Sequence, residues 1–313
     1  MRSFDAEEIR SRLTWPRTMA AIEEALRGEV EAPLRAHHRI EVPGLPEGTL
    51  LAMPAWRRGR RLGVKLVTVF PGNADQGKRA VSALYVLFDA VNGTPIALLD
   101  GEELTARRTA AASAYAASKL ARRDARRLLM LGAGRIAATL VDAYCHVRPI
   151  ERVTLWSRTA EHAQSTAAAV ARKGLTVRTT RDLESSIADA DLVSCATLST
   201  EPLIRGEWLR AGTHLDLVGA FNRSMRESDD RALQRADLIL VDDRGAALAE
   251  GGDIVQAIAS GAIGPERIAA DLRELARGIH PGRTHDDQIT VFKSVGFALE
   301  DLAAAEAVVD SDQ

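Results

Sequence analysis

The feature that most constrains the fold is a glycine-rich hexapeptide, Gly132-Ala133-Gly134-Arg135-Ile136-Ala137, between a short apolar run and a helical pattern. The apolar run, 128–131, has the length of a buried strand, and 135–147 has the periodicity of a helix. In this context the first glycine allows a tight turn, the second lets the backbone approach a pyrophosphate, and the third small residue lets helix and strand pack. The helix start also offers N–H groups to phosphates. The hexapeptide therefore predicts a dinucleotide site.

The rest of the second half of the chain repeats this alternation of apolar runs and helical segments. Further apolar runs occur at 153–156, 175–178, 192–196, 214–218 and 238–241, and a second helical pattern covers 160–173. Such alternation is typical of a doubly wound parallel sheet, and six runs fit two mononucleotide-binding halves. We therefore predict a Rossmann-type dinucleotide-binding domain over residues 118–285.

The first half of the chain has a different pattern. Short apolar runs at 63–70, 83–89 and 95–99 surround an Asn92-Gly93 pair, which favours a tight hairpin turn. A short run at 289–292 precedes an amphipathic helical pattern, which we expect to pack back on the first half. The predicted fold class is α/β: a Rossmann-type doubly wound parallel sheet plus a second α/β domain with a largely antiparallel sheet. This second domain is predicted to comprise 1–117 and 286–313.

The residues after the second strand of the predicted Rossmann-type domain indicate which dinucleotide is bound. An NAD site usually has an acidic residue there, which accepts from the ribose 2′-hydroxyl. Here Ser157-Arg158-Thr159 follows the run 153–156, and no acid is present. Arg158 can make charge-assisted hydrogen bonds to a 2′-phosphate, and the two hydroxyls can donate to it. We therefore expect NADPH as the preferred cofactor, with NADH as the alternative.

Composition excludes several classes of partner. The 313 residues carry a formal net charge of −2, without the basic surplus that nucleic acid or an anionic membrane surface favours. Two cysteines, Cys145 and Cys195, cannot form a disulfide scaffold and lack metal-ligand spacing. No charged region followed by an apolar stretch begins the sequence, and no apolar run approaches the roughly 18 residues of a membrane span. We expect a protein of the reducing cytoplasm.

Seven short motifs occur in a fixed order along the chain. They are Met53-Pro54-Ala55, Gly63-Val64-Lys65, Pro71-Gly72-Asn73, Arg108-Thr109-Ala110-Ala111, the hexapeptide, Ser157-Arg158-Thr159 and Phe292-Lys293-Ser294-Val295-Gly296. Together they resemble the ornithine cyclodeaminase and mu-crystallin family, from about residue 35 to the C-terminus. The resemblance implies a homodimer in which the first domain carries dimer contacts and much of the substrate site. It also implies an α-amino or α-imino acid substrate, bound against the nicotinamide ring.

The resemblance also assigns roles to charged residues of the first half. Arg108 and Arg39 are implied to bind the substrate carboxylate, which suits their planar guanidinium groups, but the spacing leaves Arg35 open in place of Arg39. Lys65 is implied to contact the substrate, and a partly buried lysine can exchange a proton with a reacting nitrogen. The predicted catalytic residues are Lys65, Arg108 and Arg39, and the predicted substrate contacts are Arg39, Met53, Lys65, Arg108, Phe221 and Ser294.

The predicted cofactor contacts lie mainly at the carboxyl ends of the parallel strands, where such sheets bind dinucleotides. They are Gly132, Ala133, Gly134, Arg135, Ile136, Ser157, Arg158, Thr159, Ala196, Thr197, Val218, Gly219, Ala220, Lys293 and Ser294. No metal site is predicted, because the His37-His38 pair has no accompanying cysteine or carboxylate cluster.

One departure from the family pattern indicates the reaction. Cyclodeaminases of the family end the fifth strand of the nucleotide domain in Gly-Ala-Asp, whereas this chain has Gly219-Ala220-Phe221. An aromatic side chain cannot act as a general base for deamination. With Tyr85-Val86-Leu87-Phe88-Asp89 upstream, the chain resembles the Δ1-pyrroline-2-carboxylate reductase branch, which implies reduction of a cyclic imino acid to L-proline or L-pipecolate. Three alternatives stay open: an ornithine cyclodeaminase, an alanine dehydrogenase-like enzyme and a non-catalytic NADPH-dependent binder of a small ligand.

Overall fold

The computed structural model describes residues 1–312, apart from the side chains of Ala74, Asp75 and Asp312. The chain divides into two units. The first comprises Met1–Thr109 and the described residues from Phe297 onward, and the second comprises Ala110–Gly296. Each unit is built on one sheet, as the two patterns of the sequence predict.

The first unit is an α/β unit whose sheet is antiparallel apart from one edge pairing. Its elements are β1 (Arg2–Phe4), α1 (Ala6–Arg12), α2 (Trp15–Arg27), β2 (Ala36–Ile40), β3 (Gly48–Arg57), β4 (Arg61–Val69), β5 (Val81–Asp89), β6 (Pro95–Asp100), the start of α3 (Gly101–Leu120) and α11 (Ala298–Val309). The strand order is β1-β6-β5-β4-β3-β2, and only β1 pairs in parallel. The antiparallel core and the Asn92-Gly93 turn between β5 and β6 are confirmed.

The last helix, α11, departs from the amphipathic pattern that the sequence predicts. It packs against α2 and across β3, β4 and β5, so the expected return to the first half is confirmed. All twelve of its residues are buried, including Glu300, Asp301 and Glu306. The predicted solvent-facing side is therefore wrong, because the buried Arg108 and the half-buried Arg57 of the same unit pair with these carboxylates. The buried part of this unit around α11 therefore contains charged side chains.

The second unit is a parallel α/β unit. Its elements are the end of α3, β7 (Arg127–Leu131), α4 (Arg135–Val147), β8 (Arg152–Trp156), α5 (Ala160–Val170), β9 (Thr176–Thr179), α6 (Leu183–Asp189), β10 (Leu192–Cys195), β11 (His214–Leu217), α7 (Asp230–Arg235), β12 (Leu238–Val241), α8 (Arg244–Glu250), α9 (Gly252–Ala259), β13 (Ile268–Asp271), α10 (Leu272–Ala276) and β14 (Thr290–Lys293). The eight strands are ordered β13-β12-β14-β11-β10-β7-β8-β9, and all pairings are parallel. Central strands such as β10, β11 and β14 are buried along their whole length, so polar residues on them, such as Asp216 and Lys293, must find partners inside the protein.

The limits of the two units differ from the predicted domain boundaries. Strand β14 was predicted to belong with 286–313 in the first domain, but it pairs with both β11 and β12 in the middle of the parallel sheet. The change from one unit to the other therefore falls at 296/297 instead of 285/286. The earlier boundary falls at 109/110 instead of 117/118, inside α3. A short apolar run does not specify which sheet it joins, so sequence could not locate these limits.

Three further features concern the part of the chain that the structure describes. Cys145 and Cys195 are both free thiols. Over residues 1–312, no helix combines the length and the hydropathy that crossing a membrane requires. Within the same range, no three His, Cys, Asp or Glu side chains are grouped so that they could hold a metal ion.

Candidate active site

The hexapeptide forms the predicted turn between β7 and α4. Gly132 has a φ of +109°, which side chains disfavour, and a Cβ there would lie 2.4 Å from the carbonyl oxygen of Ala196. Gly134 is the N-cap of α4 and has no side chain to cap the helix. Apart from its own residue and its chain neighbours, no described atom lies within 4 Å of the position that a Cβ of Gly134 would take. The open space at this helix start fits a phosphate group, as the sequence predicts.

The segment Ser157-Arg158-Thr159 directly follows β8, with Arg158 and Thr159 exposed. A second guanidinium, that of Arg181, donates from Nη1 to the carbonyl oxygens of Ser157 at 3.3 Å and Arg158 at 3.1 Å. Sequence reasoning missed Arg181. The signal was its place just after β9, because β9 pairs in parallel with β8 and their carboxyl ends lie side by side. Two cations are therefore available to one anionic group at this edge.

A buried carboxylate joins the segments that follow β10 and β11. Glu227 accepts from the backbone N–H and the hydroxyl of Thr197, both at 2.7 Å, and from the backbone N–H of Gly219 at 2.7 Å. A Cβ at Gly219 would lie 1.9 Å from the carbonyl oxygen of Thr197, so only glycine fits here. Burial raises the pKa of Glu227 to about 7, against the opposing charge of Lys293. The structure thus brings together two predicted cofactor segments, 196–197 and 218–220.

Two predicted ligand contacts are used inside the second unit instead. Lys293 is fully buried, with Nζ 3.3 Å from a carboxylate oxygen of Asp253 and donating to the carbonyl oxygen of Leu217 at 3.2 Å. Ser294 is also buried, and its hydroxyl donates to Asp242 at 3.1 Å. Their side-chain polar atoms bind buried protein groups in this structure, and their roles as cofactor and substrate contacts stay predictions. They support the strand ends that the cofactor residues follow.

The first unit contains a buried cluster of four charges, which we call the charged cluster: Lys65, Arg108, Glu300 and Asp301. Lys65 lies on β4, Arg108 on α3, and the two acids on α11. Lys65 Nζ and Arg108 Nε both donate to Asp301 Oδ1, each at 2.8 Å. Arg108 Nη1 donates to Glu300 Oε2 at 2.5 Å. Because all four side chains are at most 5% exposed, the two positive and two negative charges compensate one another away from water.

The electrostatic balance of the charged cluster shifts the basicity of Lys65. Burial and the neighbouring charge of Arg108 lower the pKa of Lys65 to about 8, although Asp301 opposes the shift. The charge of Arg35 also lowers this pKa, so Arg35 acts on Lys65 electrostatically. Met53, a predicted substrate contact, is buried directly opposite Lys65 in the β3–β4 pairing. A lysine of this basicity can hold or release a proton near neutral pH.

Arg39 does not join the charged cluster. It lies on β2, the edge strand, where its side chain is 84% exposed and its Nε is 3.6 Å from a carboxylate oxygen of Glu47. The structure therefore does not place Arg39 beside Lys65 and Arg108, and its role as a catalytic and substrate residue stays a prediction. Of the two arginines that the spacing left open, Arg35 is the one whose charge acts on Lys65. The remaining predicted substrate contact, Phe221, is half-buried next to Gly219 and Ala220.

Comparison with known proteins extends over nearly the whole chain. The model of the ornithine cyclodeaminase/mu-crystallin family matches residues 4–313. The Δ1-pyrroline-2-carboxylate reductase of Paracoccus denitrificans is 41% identical over 298 residues, 95% of this chain and 92% of that protein. The solved Δ1-pyrroline-2-carboxylate reductase of Thermococcus litoralis, in complex with NADH and L-proline, is 32% identical with a TM-score of 0.92, covering 98% of this chain and 96% of the other. An archaeal alanine dehydrogenase dimer with bound NAD is 31% identical with a TM-score of 0.90, covering 98% and 94%.

Proposed function

This chain belongs to the ornithine cyclodeaminase/mu-crystallin family, and from that premise we propose that it is an oxidoreductase that reduces cyclic imino acids with a nicotinamide dinucleotide. Its substrate is Δ1-pyrroline-2-carboxylate, which gives L-proline, and the six-membered Δ1-piperideine-2-carboxylate gives L-pipecolate. The observation that carries the proposal is the buried Lys65 beside Arg108, which provides a proton donor and a carboxylate-binding group in one cluster. Two of the similar proteins are named as reductases of this first substrate.

The second unit has the features that a nicotinamide dinucleotide needs. The turn 132–134 and the start of α4 would hold the pyrophosphate, and the segments joined by Glu227 would line the rest of the cofactor. For the adenosine end we propose a 2′-phosphate, and hence NADPH, because Arg158 and Arg181 are two cations at the edge where an NAD site usually has an acid. The solved relatives carry NADH or NAD, so the preference of this chain requires its own measurement.

The residues of the charged cluster have separate roles in the proposed reaction. Nicotinamide, when bound, supplies the hydride that adds to the imine carbon. Arg108 orients the substrate through its carboxylate, and we assign this contact to Nη2, since Nε and Nη1 already donate to Asp301 and Glu300. Lys65 holds a proton for the ring nitrogen, and a pKa of about 8 suits donation near neutral pH. Orientation and charge are thus the contribution of the protein.

The decisive experiment is an assay of cofactor oxidation against a panel of substrates. The purified protein is given NADPH or NADH together with Δ1-pyrroline-2-carboxylate, Δ1-piperideine-2-carboxylate, pyruvate with ammonia, or ornithine. We expect the two cyclic imino acids to be reduced fastest, and NADPH to be used in preference to NADH. Proline and ammonia formed from ornithine without net reduction would contradict the proposal, and so would cofactor binding without turnover of either imino acid.

We also propose that the protein is a homodimer that pairs through the outer face of the first sheet. On that face Ala52, Leu66 and Leu84 form a row across β3, β4 and β5, with Leu66 37% and Leu84 41% exposed. Adjacent apolar side chains on an open sheet favour a protein partner, and one solved relative is described as a dimer. Light scattering should give twice the monomer mass for the native protein and a monomer for Leu84→Glu. An unchanged dimer in that variant would contradict this use of the face.

A further inference from the structure

Asp301 accepts two hydrogen bonds that have no part in the mechanism proposed above. Its Oδ1 accepts hydrogen bonds from two cations of different elements, Lys65 Nζ and Arg108 Nε, each at 2.8 Å. Its Oδ2 is buried and accepts no hydrogen bond from any residue that the structure describes. One oxygen thus holds both functional cations, while the other is open to a further donor inside the site. Burying an unpaired carboxylate oxygen is costly, and native proteins retain such groups chiefly where they serve a function.

The groups around Lys65 leave Asp301 as its principal counter-charge. Arg108 on α3 and Arg35 ahead of β2 are cations that lower the pKa of Lys65, and burial lowers it further. Tyr85, directly opposite on β5, is a buried hydroxyl whose own pKa is raised by burial. Against these, Asp301 on α11 raises the pKa of Lys65 by its charge and by its hydrogen bond. The protonated lysine therefore depends on this carboxylate.

We infer that Asp301 is a positioning residue for the proposed reduction: through Oδ1 it keeps Lys65 charged and directs its ammonium group, while fixing Arg108 in the same site. The inference rests on the proposed function. In the step concerned, the hydride forms a C–H bond at the imine carbon, and the C=N π pair forms an N–H bond with a proton from Lys65. The bond from that proton to Nζ breaks, Lys65 becomes a neutral amine, and water returns the proton. Asp301 remains a carboxylate throughout.

Glu300 offers a matched control in the same helix turn. It is buried like Asp301 and also accepts a hydrogen bond from Arg108, at 2.5 Å. The largest effects on the pKa of Lys65 come from burial, Arg108, Asp301 and Arg35. Asp301→Asn and Glu300→Gln therefore both weaken the support of Arg108, but only the first removes the carboxylate that Lys65 donates to. A purely structural role of Asp301 predicts that the two variants behave alike.

The first measurement follows Lys65 without any ligand. The chain has five lysines, Lys65, Lys78, Lys119, Lys173 and Lys293, so NMR of protein with 13C-labelled lysine side chains gives few signals, and Lys65→Arg identifies one by its loss. We expect the Lys65 midpoint to fall by roughly 1 to 3 pH units in Asp301→Asn, as loss of an adjacent opposite charge produces. Glu300→Gln should keep the wild-type midpoint. Equal midpoints in both variants would overturn the inference, whatever the activity.

The second measurement is the pH profile of imine reduction. The alkaline limb of kcat/KM should move to lower pH in Asp301→Asn by the same amount as the NMR midpoint, while KM for the imino acid rises in both variants. Asp301→Glu keeps the charge but moves the carboxylate by one methylene, so it should retain the titration midpoint of Lys65 and lower kcat. A wild-type kcat in this variant would overturn the directing role of Asp301. If wild-type protein reduced no cyclic imino acid, the proposed function itself would fail, independently of the NMR result.

Discussion

The turn at 132–134 in the second unit and the charged cluster in the first are built in opposite ways. The turn consists of consecutive residues, and what it offers a ligand is backbone N–H groups and space. The charged cluster consists of side chains from β4, α3 and α11, and its widest hydrogen bond joins residues 236 positions apart along the chain. One site is therefore a property of a short segment, whereas the other exists only when distant elements have packed.

This difference has an energetic consequence. A residue of the turn can change without leaving a buried group unpaired, because the backbone still forms its own hydrogen bonds. In the charged cluster, loss of one cation leaves carboxylates buried without compensation, which is costly. Where the turn has room for a side chain, as at Gly134, a substitution should therefore act on ligand affinity, whereas substitutions in the charged cluster should act on turnover and stability together.

The largest expected effect is on turnover, in Lys65→Met, which retains side-chain length and loses the charge. General acid catalysis contributes roughly 10²–10⁴-fold, so kcat for imine reduction should fall by about that factor. The dissociation constant of NADPH, measured by fluorescence titration, should not change, since Lys65 lies in the first unit. Parallel losses of turnover and of NADPH affinity would remove the distinction between the two sites.

Arg108→Leu should lower the stability of the protein the most. It leaves Glu300 and Asp301 buried without the guanidinium that donates to both, at a cost of about 3–5 kcal/mol in the free energy of unfolding. Arg158→Leu is the control, because Arg158 is exposed and should change stability by less than about 0.5 kcal/mol. Urea denaturation measures both. Similar destabilisation in the two variants would contradict the contrast.

Arg158→Leu should act instead on cofactor choice. Hydrogen bonds to a charged partner contribute about 1.5–3 kcal/mol, so NADPH should bind roughly 10- to 100-fold more weakly, and NADH nearly as before. Arg181→Leu should show the same selectivity with a smaller loss of NADPH affinity. Part of the Arg181 guanidinium already donates to the backbone of 157–158, which leaves fewer of its N–H groups for the phosphate. Calorimetry with both cofactors tests this. An equal loss for NADH would mean that Arg158 does not meet a 2′-phosphate.

The smallest expected effect separates two glycines of the same turn. A Cβ at Gly134 meets no described atom within 4 Å, so Gly134→Ala should keep the melting temperature and weaken either cofactor about tenfold by occupying phosphate space. Gly132→Ala forces a side chain onto a φ of +109° and against Ala196, so it should cost roughly 1–3 kcal/mol of stability. Thermal melts that rank the two variants in the reverse order would show that the turn is not built as described.

The same contrast explains which parts of the molecule the sequence could predict. The turn, the strand runs of the second unit and the hairpin of the first depend on neighbouring residues, and all are found in the structure. Glu300 and Asp301 could not be identified, because acids in the first turn of a helix are ordinarily exposed and favourable to its dipole. Only the packing of α11 shows that they are buried against Lys65 and Arg108.

The surroundings of two predicted contacts depend on tertiary structure in the same way. Arg39 lies on the edge strand β2, where all five residues are exposed, so it does not join the charged cluster. Lys293 lies on β14 inside the parallel sheet, where a lysine must find buried partners. Side-chain types alone do not reveal either position, because the neighbours of both strands are set by the tertiary structure.

The position of β14 has a consequence for how the protein is made. Strands β11 and β12 each pair with β14 and not with each other. The parallel sheet therefore lacks the strand that joins them until residues 290–293 have been synthesised. Helix α11, which follows directly, must then bring Glu300 and Asp301 to their cations. Early synthesis therefore exposes unpaired strand edges, which are prone to aggregate, and both units stay incomplete until the last two dozen residues are made.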